Sequence, residues 1–75
     1  MIVKYSRMDV ILDRIEHLEV DVDTMSESEA VEMLINDIRD GMIEHKIDHE
    51  IIAHEIREYH NGELYKIHYG FKVVE

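Results

Sequence analysis

The sequence predicts a small α+β domain that spans residues 1–75 as a single domain. Two segments have apolar residues at helical spacing, and one C-terminal run alternates apolar and polar residues as strands do. The dipeptide Asn61-Gly62 marks a chain reversal before that run. The predicted order is an N-terminal strand, two amphipathic helices, and then a third helix or strand that reverses at Asn61-Gly62 into a C-terminal strand.

The first residues predict a strand followed by a helix. Met1–Tyr5 is rich in β-prone side chains. Ser6 lies three residues before Asp9, a spacing like that of a helix capping box. The apolar residues behind it share one helix face, being Met8, Ile11, Leu12, Ile15 and Leu18. We therefore expect a helix from about Arg7 to Leu18.

A polar connection and a second helix follow. In residues 19–25 the alternation of Val20 and Val22 fits either a very short strand or an extended link. Ser26 and Glu29 form an S-x-x-E capping box. One face of the helix behind it is apolar, with Val31, Leu34, Ile35, Ile38 and Met42. Either Gly41 stops this helix, or the helix continues through Glu44 or His45.

The stretch from Asp48 to His60 has two interpretations. In the first, Asp48 caps a third helix that Asn61-Gly62 ends. In the second, Asn61-Gly62 is a type I′ hairpin turn. The hairpin would pair His60 with Glu63, Glu58 with Tyr65, Ile56 with Ile67, His54 with Tyr69 and Ile52 with Phe71. Both interpretations predict one inward strand face, formed by Tyr65, Ile67, Tyr69, Phe71 and Val73.

Composition excludes several classes of function. The net charge of −10 argues against direct binding of nucleic acid or an anionic membrane, since both need a basic surface. Without cysteine the chain has no disulfide and no thiolate metal site. The N-terminus has no long apolar run, so we predict neither a signal peptide nor a transmembrane helix, and a cytoplasmic location.

The sequence predicts no enzyme, no catalytic residue and no cofactor. The chain has no nucleophilic cysteine, and its three glycines are scattered rather than gathered in a phosphate-binding loop. A chain of this length rarely provides both a core and a deep pocket.

The histidines predict no specific metal site. His49 and His54 in the string HEIIAH are five residues apart, whereas a zincin motif needs a spacing of four. His45 and His49 have the helical spacing of four residues. They support an alternative hypothesis, in which the protein binds metal through histidines and carboxylates or responds to pH.

The acidic run between residues 13 and 32 is the most distinctive candidate for function. It contains eight acids against the single base Arg14, namely Asp13, Glu16, Glu19, Asp21, Asp23, Glu27, Glu29 and Glu32. A solvated face and the helix dipole explain Glu27 and Glu29, but explain Asp21 and Asp23 poorly. We therefore predict a non-enzymatic protein-binding module, whose acidic run docks on a basic surface of a larger protein.

In size, acidity and lack of cysteine, the chain resembles small phage-encoded inhibitor proteins, including those that imitate DNA. The resemblance is one of composition, and it implies an inhibitor without assigning a role to any residue. A further alternative is a structural homo-oligomer, such as a homodimer, in which the aromatic strand of Tyr65, Tyr69 and Phe71 is the contact.

Overall fold

The computed structural model describes residues 1–23 and 26–74. In chain order these residues form β1 (Ile2–Asp9), β2 (Arg14–Asp21), α1 (Glu27–Glu44), β3 (Asp48–Ile52), β4 (Glu55–His60) and β5 (Glu63–Val74). The strands build one antiparallel sheet in the order β2-β1-β5-β4-β3. Because α1 connects the two outer strands, it packs across one face of the sheet. The α+β class is confirmed in outline, but the described residues form one helix instead of two or three.

The helix predicted for Arg7–Leu18 is wrong, because this segment forms the β1–β2 hairpin. Its ladder runs from Ile2↔Asp21 to Asp9↔Arg14. In the turn, Asp13 has a φ of 52° and the Asp9 carboxylate accepts the backbone N–H of Leu12 at 2.9 Å. β1 is paired on its other side with β5. β1 thus makes backbone hydrogen bonds and side-chain contacts with two neighbouring strands, which an isolated helix would lack. These contacts stabilise the strand more than the helical spacing of apolar residues stabilises a helix.

The second predicted helix is confirmed as α1. Ser26 is its N-cap, and the Ser26 hydroxyl accepts the backbone N–H of Glu29 at 3.2 Å. Leu34, Ile35 and Met42 of the predicted apolar face are buried. Of the predicted connection, Val22 is buried, whereas residues 24 and 25 lie outside the described residues.

The helix passes Gly41 and ends in a Schellman motif. His45 is the C-cap, and Lys46 follows it in the left-handed region with a φ of 57°. The Ile47 N–H bonds the Met42 carbonyl at 2.8 Å, and the Lys46 N–H bonds the Ile43 carbonyl at 3.1 Å. These bonds satisfy carbonyls that a helix end would otherwise leave unpaired. Gly41 is therefore a helical residue, and continuation to Glu44 is the correct alternative.

After α1 the hairpin interpretation is confirmed and the third helix is wrong. Asn61 and Gly62 have φ values of 53° and 78°, as a type I′ turn requires, and His60 pairs with Glu63 as predicted. A bulge next to Tyr59 then shifts the register by one residue. The pairs that replace the predicted ones are Glu58↔Lys66 instead of Glu58–Tyr65 and Ile56↔His68 instead of Ile56–Ile67.

The predicted pairs of Ile52 with Phe71 and of His54 with Tyr69 are also wrong. A turn at Ala53 and His54 separates β3 from β4, so that Ile52 pairs with Glu55. Ala53 takes up the reversal with a φ of 53°. β3 thereby becomes an outer strand instead of an extension of β4.

A second irregularity divides the predicted inward face of β5. Lys4 pairs with Lys72 but Ser6 pairs with Tyr69, so β5 has one extra residue there, and Gly70 has a φ of 69°. Phe71 and Val73 pack against the core. On the other side of the bulge it is His68 that shares a face with the fully buried Ile56. Since neighbouring residues alternate, Ile67 and Tyr69 point to the opposite face.

The core lies between α1 and one face of the sheet. Its two buried clusters are Val3, Val22, Ala30 and Leu34, and Ile35, Met42 and Ile56. Tyr5 and Phe71 extend the core as a stacked pair with ring centroids 5.1 Å apart.

Candidate protein-binding surface on the first hairpin

All eight acids of the predicted surface are exposed. Asp13 lies in the β1–β2 turn, and β2 carries Glu16, Glu19 and Asp21. Asp23 follows β2, while the first half of α1 carries Glu27, Glu29 and Glu32. The acidic run therefore lies along the outer strand β2 and on the first half of α1, the next element in the sequence.

The β2 acids do not form a single row. Glu16 pairs across the ladder with Arg7, on the face that α1 packs against, while Glu19 pairs with Lys4 on the other face. Asp21 points to the same face as Glu19 because the two are separated by one residue. The predicted acidic surface is thus divided between both sides of β2.

The same three acids have partners within the chain. The Arg7 guanidinium donates to the Glu16 carboxylate at 2.6 Å, and this hydrogen bond lowers the pKa of Glu16. Lys4 Nζ lies 3.3 Å from Glu19, and the Met1 amino group lies 3.2 Å from Asp21. Among residues 1–23 and 26–74, no cation lies within ion-pair distance of Asp13, Asp23, Glu27 or Glu32. Those four acids offer their charge to solvent or to a partner.

An exposed apolar tip at the end of the first hairpin adds a feature that the sequence interpretation missed. We use "hairpin tip" for Val10, Ile11, Leu12 and Ile15. Ile11 is 59% exposed, Leu12 61% and Ile15 54%. In the sequence Asp13 and Arg14 lie between Leu12 and Ile15, and Glu16 directly follows Ile15. Large aliphatic groups exposed together mark an interaction surface more often than single exposed residues do.

The tip was missed because its residues were assigned to the buried face of a helix. Helical spacing is real in this segment, but in the hairpin Ile11 and Leu12 fall in the turn. The signal that identifies the turn is Asp9, whose side chain accepts a local N–H, together with Asp13 at positive φ.

A second polar site lies on the sheet face beyond the end of the core. Glu58 is flanked by two histidines: His60 Nε2 lies 2.6 Å from one carboxylate oxygen, and His68 Nε2 lies 3.5 Å from the other. Glu58 and His68 are both buried. Neither ring nitrogen of His68 has a well-aligned hydrogen-bond partner among the described residues. Burial lowers the pKa of His68, and Glu58 opposes this effect only in part.

The helical pair of His45 and His49 is not formed. His45 caps α1 and His49 lies in β3, so the spacing of four residues does not place them on one helix face. Across residues 1–23 and 26–74, no three histidines or carboxylates are grouped as a metal ion would require. No helix in this part of the chain has the length and apolar character to span a membrane.

Comparisons with protein-family models, curated proteins and solved structures find no match to this chain.

Proposed function

We propose that this chain is an acidic protein-binding module that docks on a basic surface of a larger protein through its first hairpin. The supporting observation is the hairpin tip, where three aliphatic side chains are more than half exposed beside carboxylates. Protein interfaces combine apolar anchors with a polar rim. The acids would steer a basic partner towards the chain, and the tip would supply the buried contact.

An inhibitor is the more specific form of this proposal. A module on the basic groove of a nucleic-acid enzyme would compete with phosphates for the same lysines and arginines. Glu16 and Glu19 are already paired with Arg7 and Lys4, which lowers the charge they offer to a partner. Support for binding therefore comes from the apolar tip more than from a phosphate-like row of acids.

Substitution of the tip tests the proposal. We expect the double variant Ile11→Ser, Leu12→Ser to lose partner proteins that the immobilised wild-type chain retains from a cell extract. Truncation of an apolar anchor costs more than about 1 kcal/mol at an interface centre, so each substitution should weaken binding about tenfold. Retained proteins are compared by mass spectrometry, at low salt and at high salt.

Ile43→Ser is the matched control, because Ile43 is also 59% exposed but lies near the C-terminal end of α1, outside the first hairpin. This variant should retain the same partners as the wild type. If the tip variant and the wild type retain the same proteins, the hairpin is not the binding surface. If light scattering shows a dimer that the tip variant abolishes, the tip is a self-association contact instead.

A further inference from the structure

The C-terminal part of β5 has a free edge. β4 pairs with β5 from His60↔Glu63 to Ile56↔His68, and β4 begins at Glu55. On its other side β5 stays paired with β1 as far as Val74. In the part of the chain that the structure describes, no strand lies beside Phe71–Val74 on the β4 side. The sheet therefore has one vacant strand position in line with β4.

The backbone of Val73 points into this vacant position. Met1 and Val22 exchange two hydrogen bonds, from the Val22 N–H to the Met1 carbonyl at 2.7 Å and from the Met1 amino group to the Val22 carbonyl at 2.9 Å. Along a strand, successive residues direct their backbone N–H and carbonyl groups to opposite sides. Val3 is two residues from Met1, so its backbone groups point towards β2 as those of Met1 do. Val73 lies opposite Val3 and therefore directs its N–H and carbonyl away from β1. Such unpaired groups are a template for another strand.

A groove of about 770 Å³ lies over the vacant position. Phe71 and Val73 line it on the sheet side, and His54 lines it at the β3–β4 turn. The α1 side combines apolar and acidic residues, which are Val31, Met33, Glu27, Glu29 and Glu32. Met33 is 39% exposed, so the groove has an open apolar wall.

We propose that this groove binds an extended, basic segment of a partner protein, which adds to the sheet as a strand beside Phe71–Val74. The backbone of the segment would bond Val73, as in other cases of β-strand addition. Its side chains that face α1 would meet Glu27 and Glu32, whose charges favour lysine or arginine there. Lys72 also lines the groove, but its side chain points to the opposite face of the sheet, since its neighbour Val73 packs against the core.

Charge selects this occupant over a second copy of the chain. Each copy carries a net charge of −10, and pairing two such edges would bring the acids of both grooves together. The groove is also separate from the hairpin tip. Val73 pairs with Val3 near the start of β1, whereas the tip follows Asp9 at the other end of that strand.

An amide-resolved NMR titration of the isotope-labelled chain tests the proposal. The probe is a capped hexapeptide in which lysine alternates with valine, and the control peptide has glutamate in place of lysine. We expect the lysine peptide to shift the amides of Phe71 to Val73 and to protect the Val73 amide from exchange. The same peptide with N-methylated valines should not bind, because it cannot complete the ladder.

Two variants make the test specific to the groove. Val73→Pro removes the outward N–H but leaves the bonds to β1, and it should abolish binding. Glu32→Lys should weaken binding about tenfold at low salt. Glu44→Lys makes the same charge change at the far end of α1 and should leave binding unchanged. Melting curves confirm that each variant folds, and Glu32→Lys on the exposed helix surface gives the answer if Val73→Pro does not fold.

Three outcomes would overturn the inference. Shifts confined to β2 would place the basic peptide on the acidic run, which leaves the proposed hairpin function intact but removes the groove. Concentration-dependent shifts at Phe71–Val74 without peptide would assign the edge to a second copy. Equal binding of the lysine and glutamate peptides, or binding of neither, would show that the groove does not select a basic strand.

Discussion

At the scale of single residues, His68 is a buried histidine whose ring nitrogens have no well-aligned hydrogen-bond partner among the described residues. It is 5% exposed and shares a face with Ile56, and its Nε2 lies 3.5 Å from the Glu58 carboxylate. A buried imidazole without good hydrogen bonds is more stable neutral than charged. The pKa of His68 is accordingly lowered by burial in the folded chain.

We expect the free energy of unfolding to fall as the pH is lowered below about 6.5, the ordinary pKa of a histidine. In this window the unfolded chain takes up a proton at His68 that the folded chain does not bind, so acid favours unfolding. One such proton gives a slope of at most about 1.4 kcal/mol per pH unit. Urea unfolding at about pH 7.5 and about pH 5.5 measures this slope.

The variant His68→Gln should have a smaller slope over the same range. The control His45→Gln makes the same substitution at an exposed histidine, at the end of α1. Equal slopes for the wild type and His68→Gln would assign the acid sensitivity to other groups. The Arg7–Glu16 pair changes the free energy of unfolding with pH only below about 4.5, because the pKa of Glu16 is lowered from that value. Its effect therefore falls below the pH range of this measurement.

At the scale of elements, Lys46 holds the end of α1 in a conformation that a lysine adopts at a cost. Its φ of 57° lies in the left-handed region, where a Cβ costs about 1–2 kcal/mol. Glycine is the usual residue at this position of a Schellman motif. The motif nevertheless forms, because Met42 and Ile47 both pack in the second core cluster.

The variant Lys46→Gly should raise the free energy of unfolding by about 0.5–1 kcal/mol, the relief of strain less the greater unfolded-state entropy of glycine. For a chain of this size, that corresponds to a melting temperature roughly 2–8 °C higher. Lys46→Ala removes the same side chain but keeps the Cβ, so it should show little gain. If alanine stabilises as much as glycine, the lysine side chain is responsible instead of the backbone.

The elements predicted correctly from the sequence are those with local signals. The Ser26–Glu29 capping box and the apolar spacing from Val31 to Met42 locate α1, and Asn61-Gly62 locates the last hairpin. The first hairpin was mistaken for a helix, because pairing of β1 with β5 depends on residues more than fifty positions apart in the sequence. Local spacing carries no information on such contacts.

Bulges explain the remaining errors of register. One extra residue of β5 opposite the Glu58–Tyr59 step moves the side chains that follow it to the other face, and a second near Gly70 moves them back. This is why His68 is buried where Ile67 was predicted to lie inward. Of the candidate site, the sequence predicted the acids and their exposure. It did not predict the hairpin tip, the split of Glu16 from Glu19, or the free edge at Val73.

At the scale of the whole molecule, the net charge of −10 is confined to dimensions of 38 × 24 × 19 Å. At about 0.01 M salt the screening length is about 30 Å, which is comparable to the longest of these dimensions. At about 0.15 M it is about 8 Å, shorter than any of them. Repulsion across the folded chain therefore depends on salt in this range.

We expect the melting temperature to rise when sodium chloride is increased from about 0.01 M to about 0.15 M. Screening also weakens exposed ion pairs such as Lys4–Glu19, but such pairs contribute only about 0–1 kcal/mol each. Calorimetry at the two salt concentrations measures the difference. A melting temperature that falls with salt would show that the ion pairs dominate over the net repulsion.

The position of β5 determines the order in which this fold can be completed during synthesis. β5 is the central strand of the sheet but the last of its strands to leave the ribosome. The β1–β2 and β3–β4 hairpins emerge earlier, yet they lie on opposite sides of β5 and share no ladder without it. Until residues 63–74 have been made, the nascent chain holds two unjoined hairpins and a helix whose apolar face has little to cover it. The final dozen residues of the sheet thus convert separate local pieces into one cooperative unit.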